Sequence, residues 1–294
     1  MRHLRFLAVQ CFHDSANADL LIVQKAVESA SSVLVGDDTD LLVPLIHHVP
    51  LESKDIFFAS ERKKNSKGRV WNIKKVKAGL GPLLCKHILF SHTVLGCDTT
   101  SRLFGIGKGS ILKKIKQNND LQQAAKVFDN PHSTQAQVEI AGEKALVVMY
   151  NGKSSDTLNS LRYKKYCDKV ATHLAQVDPR ILPPTSAAAK NHSKRVFLQI
   201  NQWKDPDCDM PAEEWGWTLT ESGLCPTMTE MAPAPPELLK MIRCSCATDC
   251  GSARCTCRKH GMKCSTACGH CRGSSCSNAN TVVEDEEDSD SDEE

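Results

Sequence analysis

Nine cysteines crowd into residues 244–276, at positions Cys244, Cys246, Cys250, Cys255, Cys257, Cys264, Cys268, Cys271 and Cys276. A stretch this short has too little apolar side-chain mass for a core of its own, so metal or disulfides must hold it. Disulfides are disfavoured, because nine is odd and the apolar run near the N-terminus, Phe6 to Val9, is too short for a secretory signal. Zinc takes four ligands in a tetrahedron and favours thiolate. Nine thiolates fill the twelve places of three zinc ions when three of them bridge two metals. Two-zinc binding through His260 or His270 is the alternative. Metal would then supply the folding energy.

Charge gives the cysteine stretch a partner. Arg243, Arg254, Arg258, Lys259, Lys263 and Arg272 stand against the single acid Asp249. Three Zn²⁺ and nine thiolates leave −3, so the loaded module carries about +2. Cations on a compact knot suit phosphates, and DNA is the expected partner. The chain as a whole has a net charge of +2, but the tail 284–294 contains nine acids, so the remainder carries +11. Residues 281–294 are expected to be a disordered acidic tail.

The cysteine spacing resembles the CXC domain of the tesmin/TSO1 group, over about 35 residues. The resemblance implies three zinc ions on nine cysteines and a module that reads DNA in the nucleus. Where that group has a tyrosine before the fourth cysteine, this chain has Arg254. An arginine there suits a narrow minor groove. With Arg258, Lys259 and Lys263 it makes up the expected DNA contacts of the module.

Residues 1–150 read as an α/β domain. Helical spacing in 19–29 is followed by the β-branched run 32–36, a helix over 38–48, strands at 55–59 and 69–73, and a buried helix over 83–95. Alternating short strands and helices predict a parallel sheet with helices on its faces. The basic loop between the two later strands reads as a solvated loop. No window reaches the ~20 apolar residues of a membrane helix, so no membrane association is expected.

Two further patterns carry chemistry. The run VLVGDDTDLL places Asp38 and Asp40 at a strand's carboxyl end, where open α/β sheets build their sites. Capping the next helix is the plainer reading of the same aspartates. Further on, Asp98 precedes LFGIGKGSILKKI, which reads as a helix-hairpin-helix: Gly105, Gly107 and Gly109 permit a tight turn, N–H groups at the next helix start can hold a phosphate, and Lys108, Lys113 and Lys114 add charge. In this order the segments resemble flap endonuclease and XPG-type nucleases of the PIN-like group, over about residues 15–120. That resemblance implies that Asp19, Asp38, Asp40 and Asp98 ligate Mg²⁺ or Mn²⁺ for phosphodiester cleavage, and that Gly105, Gly107 and Lys108 grip the DNA backbone. The strand with which such enzymes begin has no counterpart before Asn17, so the sheet is expected to be incomplete and the nuclease core inactive.

Residues 151–240 read as one helix over 156–175 and then an irregular connector. Nine of the thirteen prolines and three of the four tryptophans lie between Asp178 and Pro236. Its tryptophans, Trp203, Trp215 and Trp217, are expected to pack locally or to dock a protein partner. The cysteine module occupies 241–280. The combination of nuclease-like core, connector and cysteine knot resembles uncharacterised, transposon-associated proteins of invertebrate genomes.

Overall fold

The computed structural model describes residues 18–29, 31–52, 55–60, 68–172, 179–229, 243–247, 249–264, 268–274 and 276–279. The chain divides into two compact units. The first comprises residues 1–165 and 183–230, the second 166–182 and 231–294. The basic loop at 61–67, the tail and the residues before α1 lie outside the described residues.

The first unit begins with helix α1 (Ala18–Glu28), whose Leu20, Val23 and Ala26 are buried at three-residue spacing. Strand β1 (Ser32–Val35) follows. Asp38 then caps α2 (Thr39–His48) by accepting the Asp40 N–H at 2.8 Å. Strand β2 (Ile56–Ala59) lies parallel to β1, and β3 (Val70–Asn72) lies antiparallel to β2. The sheet order is β1-β2-β3, so the sheet is mixed rather than parallel. Leu34, Ile56 and Phe58 face the helices and are buried, whereas Val33, Val35 and Val70 on the other face are 58%, 62% and 63% exposed. Among the described residues, helices therefore cover one face of the sheet and not both.

Helices α3 (Ile73–Leu80), α4 (Pro82–Lys86) and α5 (Ile88–Thr93) follow. The single buried helix expected over 83–95 is broken at His87, whose ring Nδ1 donates to Asp129 Oδ2 at 2.5 Å. Residues 94–107 are turns and irregular chain, and α6 (Lys108–Gln117) starts directly after the glycine turn. The expected hairpin thus has its second helix, while the residues just before the turn are not helical. α7 (Asn119–Asp129) and α8 (Gln135–Met149) pack together, and α8 is started by a capping box between Thr134 and Gln137. Helix α9 (Leu158–Thr172) corresponds to the helix expected over 156–175.

The largest departure from expectation is α10 (Ser186–Lys204), 19 residues inside the segment read as an irregular connector. It packs against α8 and α5 and is buried almost all round from His192 to Trp203. Phe90 of α5, Phe128 of α7 and Phe197 of α10 form an aromatic row, with ring centroids 4.9 and 6.3 Å apart. Phe197 also stacks on Trp215 at 4.6 Å. Trp203 and Trp215 are therefore packed into the core. Gly142 lets α8 and α10 approach: a Cβ there would lie 1.8 Å from Ser193 Oγ. A two-stranded ribbon, β4 (Trp217–Thr220) and β5 (Gly223–Pro226), closes the unit.

Burial has a pH consequence. His192 accepts no charge easily: burial, despite its bond to the Val94 carbonyl, holds its pKa down at about 4. A histidine lowered on folding contributes stability above its unfolded pKa of about 6.5, and that stability drains away as pH falls toward 4. The loss approaches about 3 kcal/mol for this group. His47, held at about 4 by burial and then by His48, pulls the same way. Urea unfolding followed by tryptophan fluorescence should therefore show falling stability between pH 6.5 and 4. His192→Gln should flatten that slope. An unchanged slope in the variant would remove His192 from the account.

Candidate functional site

In the second unit the cysteines converge. Cys244, Cys250, Cys255, Cys257, Cys264, Cys268 and Cys271 are buried, and Cys246 and Cys276 are packed against them half-buried. Apart from these cysteines, the buried cluster has no hydrophobic member among the described residues. Sulfur–sulfur separations are 3.7 Å for Cys244–Cys250, 3.9 Å for Cys244–Cys264, 3.8 Å for Cys255–Cys264 and 3.5 Å for Cys257–Cys268. A tetrahedron with metal–sulfur bonds of about 2.3 Å has edges of about 3.8 Å. These spacings fit zinc and are far too long for disulfides.

Three groups of four can be drawn with all sulfurs within 4.8 Å: Cys244, Cys257, Cys264 and Cys268; Cys244, Cys250, Cys255 and Cys264; and Cys250, Cys264, Cys271 and Cys276. Neither His260 nor His270 belongs to such a group among the described residues. The cluster can hold metal ions, and its soft donors suit zinc. Burial pushes the Cys244 thiol up to about 12 and Cys257 to about 11. Burial also raises Cys255, but the Arg258 N–H and neighbouring thiols outweigh it and bring it to about 7. The Gly273 N–H is the main cause that brings Cys271 to about 7.

Two residues outside the cysteine pattern hold the knot closed. Asp249 accepts the Ser277 N–H and hydroxyl, both at 2.8 Å, and the Gly251 N–H at 2.9 Å. Buried Asn278 donates to the Met262 carbonyl at 2.9 Å and to Cys264 Sγ at 3.4 Å, while its backbone carbonyl accepts the Cys264 N–H. Such outer contacts orient the ligand sulfur. Nothing in the spacing marks them. A short helix, α11 (Thr256–Lys259), carries Arg258 and Lys259, and with Arg243, Arg254, Lys263 and Arg272 they supply the cations of the knot.

The first unit gathers the acidic residues. Asp19 is raised by burial and then by the charges of Asp38, Asp40 and Asp98, so four carboxylates expected from the sequence share one neighbourhood. They arrive from the start of α1, the cap and first turn of α2, and the loop after α5. Asp40 is buried, and both its oxygens are used. Oδ1 meets His92 Nε2 at 2.6 Å and Oδ2 accepts the Asp98 N–H at 3.1 Å. Burial raises Asp40, but these bonds prevail and hold it below the usual range. Asp38 spends its Oδ1 on the Asp40 N–H.

Among the described residues, no three carboxylate or histidine ligands come within 4.8 Å of one another. Both Asp40 oxygens thus already carry a protein donor, which a metal ion at this cluster would have to share. The loop bearing Asp98 is fixed by α10. Thr99 donates to Gln199 Oε1 at 2.5 Å, Arg195 donates to Ser101 Oγ at 3.3 Å, and His192 meets the Val94 carbonyl at 3.0 Å. The loop's turn also requires Gly96, at φ +107° with a Cβ position 2.6 Å from Arg102 Cα.

In the glycine turn, Gly105 has φ +72°, a conformation that favours glycine, whereas Gly107 is extended at φ −80°. Lys113 is exposed on α6. Lys114 serves the fold instead, donating to the Val148 carbonyl at 2.7 Å at the end of α8. Lys108, itself exposed, reaches across to Thr39 Oγ1 at 3.2 Å and to the ring of His92. No described helix is long and apolar enough to cross a membrane. Comparison with protein-family models, curated proteins and solved structures finds no match.

Proposed function

We propose that this is a zinc-dependent, nuclear DNA-binding protein whose second unit grips DNA and whose nuclease-like first unit is catalytically silent. The observation that carries the reading is the knot itself: sulfurs at zinc-tetrahedron spacing inside, six cationic side chains outside. Three zinc ions satisfy the three groups of four if Cys244, Cys250 and Cys264 each bridge two metals. Cys246, which sits beside the cluster, then takes the place left by the third use of Cys264. The resemblance to tesmin/TSO1-type CXC domains adds DNA as the ligand, and Arg254, Arg258, Lys259 and Lys263 are the contacts it assigns.

A second reading, a Mg²⁺- or Mn²⁺-dependent structure-specific nuclease, is favoured by the convergence of Asp19, Asp38, Asp40 and Asp98. Against it stand the occupied oxygens of Asp40. The PIN-like identity of the first unit, and a DNA-backbone grip by Gly105, Gly107 and Lys108, belong to the same resemblance.

The test is binding of a short duplex by zinc-loaded protein across a salt series. Removing one cation that neutralises a phosphate should reduce the log–log salt slope by about 0.9. Arg258→Ala/Lys259→Ala should therefore flatten the slope by about 1.8 and weaken binding at every sequence tested. Binding that ignores salt would make the knot a protein-interaction module. Incubating flap, bubble and single-stranded DNA with Mn²⁺ separates the second reading: metal-dependent cleavage abolished by Asp98→Ala would establish a working nuclease.

A further inference from the structure

The side chain of Lys108 is out of place for a phosphate contact. It is the first residue of α6, directly after the glycine turn, yet its ammonium reaches back to α2 and α5. Nζ lies 3.2 Å from Thr39 Oγ1, and Thr39 stands between Asp38 and Asp40. It also lies 3.3 Å from both Nδ1 and Nε2 of His92. An ammonium equidistant from both ring nitrogens sits over the imidazole face, because in the ring plane it would collide with the carbon between them. The same His92 gives its Nε2 to Asp40. Carboxylate, imidazole and ammonium are thus stacked in sequence from the buried interior outward.

We infer that Lys108 is the built-in counter-ion of the acidic cluster and keeps divalent cations out of it. This rests on the reading of the first unit as a silent core and supplies its physical cause. Four carboxylates in one neighbourhood need positive charge, and a two-metal enzyme takes it from solvent. Here the chain provides it. A divalent ion entering beside Lys108 would meet its positive charge. At a separation of about 5 Å, that repulsion alone weakens binding by more than about tenfold even at the dielectric of water. The ion would also have to share the Asp40 oxygens with the His92 and Asp98 donors that already bind them. The tether has a second effect: it links the first residue of α6 to the start of α2.

The experiment is Mn²⁺ binding by full-length, zinc-loaded protein, read by electron paramagnetic resonance of free Mn²⁺ and by thermal shift. Manganese is a hard ion that prefers carboxylate to the thiolates of the knot. Wild type and Lys108→Arg should show no saturable Mn²⁺ site at millimolar concentration. Lys108→Met should acquire one, at least about tenfold tighter, and Asp19→Asn or Asp98→Asn in that background should remove it. If Lys108→Met proves unstable, Lys108→Gln keeps the polar contact to Thr39 without the charge and carries the same expectation. Saturable binding by wild type as tight as by the variants overturns the inference, as does a folded Lys108→Met that binds no Mn²⁺. The two readings fail separately: wild type that binds Mn²⁺ without cutting DNA sinks the counter-ion alone, whereas wild type that binds and cuts sinks the silent core too.

Discussion

Stripping zinc should unfold residues 243–279 while leaving the first unit intact. The cause lies in what the knot buries. Among the described residues its interior consists of cysteines and Asn278, with none of the Leu, Ile, Val or Phe that stabilise the first unit. Burying a thiol contributes little, whereas a structural zinc site contributes about 10–16 kcal/mol of binding free energy that doubles as folding energy. Chelated protein should therefore become sensitive to trypsin at Arg254, Arg258, Lys259 and Lys263 and should lose salt-dependent DNA binding. All four tryptophans, Trp71, Trp203, Trp215 and Trp217, lie in the first unit, so their fluorescence should not change. Native mass spectrometry of the loaded protein should count three zinc ions. Two would overturn the bridged arrangement. Cys264 belongs to all three groups of four, so Cys264→Ser should cost more than one metal, and Cys246→Ser, outside every group, should cost least.

That contrast marks where the sequence is informative. Metal ligation is local: cysteines close along the chain meet whatever surrounds them, so spacing alone places the centre. The clasp through Asp249 and the Asn278 contact to Cys264 are equally local, but an aspartate and an asparagine among serines carry no distinguishing pattern. The acidic residues are legible as a roster, because strand-end and helix-start positions bring them to one end of a sheet. Their partners are not. His92 sits in the apolar run ILFSHTVLG, and only packing shows that its ring lies between Asp40 and Lys108.

The connector hides its helix for a different reason. An amphipathic period shows when one face of a helix is wet. α10 is buried almost all round, and its buried positions include His192, Ser193, Arg195, Gln199 and Asn201. Each polar side chain there has a specific partner, such as Gln199 with Thr99 or Arg195 with the Gly216 carbonyl. This erases the hydrophobic stripe while leaving the helix sound. The prolines that suggest irregular chain are punctuation: Pro183 and Pro184 precede the cap Thr185, and Pro206 follows the last turn.

Phe197→Ala is the test of that segment and should have the largest effect of any single change in the first unit. Phe197 is fully buried, stacks on Trp215 and meets Phe128 edge-on. Truncating such a ring removes its transfer free energy and leaves a cavity between α7, α8 and α10, a loss of about 3–5 kcal/mol. Urea unfolding read by tryptophan fluorescence reports this unit selectively. Leu219→Ala, at an exposed site on β4, should fall within about 0.5 kcal/mol of wild type. A connector that merely joined two domains would make both substitutions equally mild. The outcome also bears on the acidic cluster, because the turn of α10 that carries Phe197 also carries Gln199, which holds Thr99 beside Asp98. If Phe197→Ala is destabilising, Gln199→Ala should loosen the Asp98 loop with little global cost, and hydrogen exchange at residues 97–101 should rise while that of α7 and α8 stays put. If Phe197→Ala is silent, α10 does not belong to the folded unit and cannot be what positions Asp98.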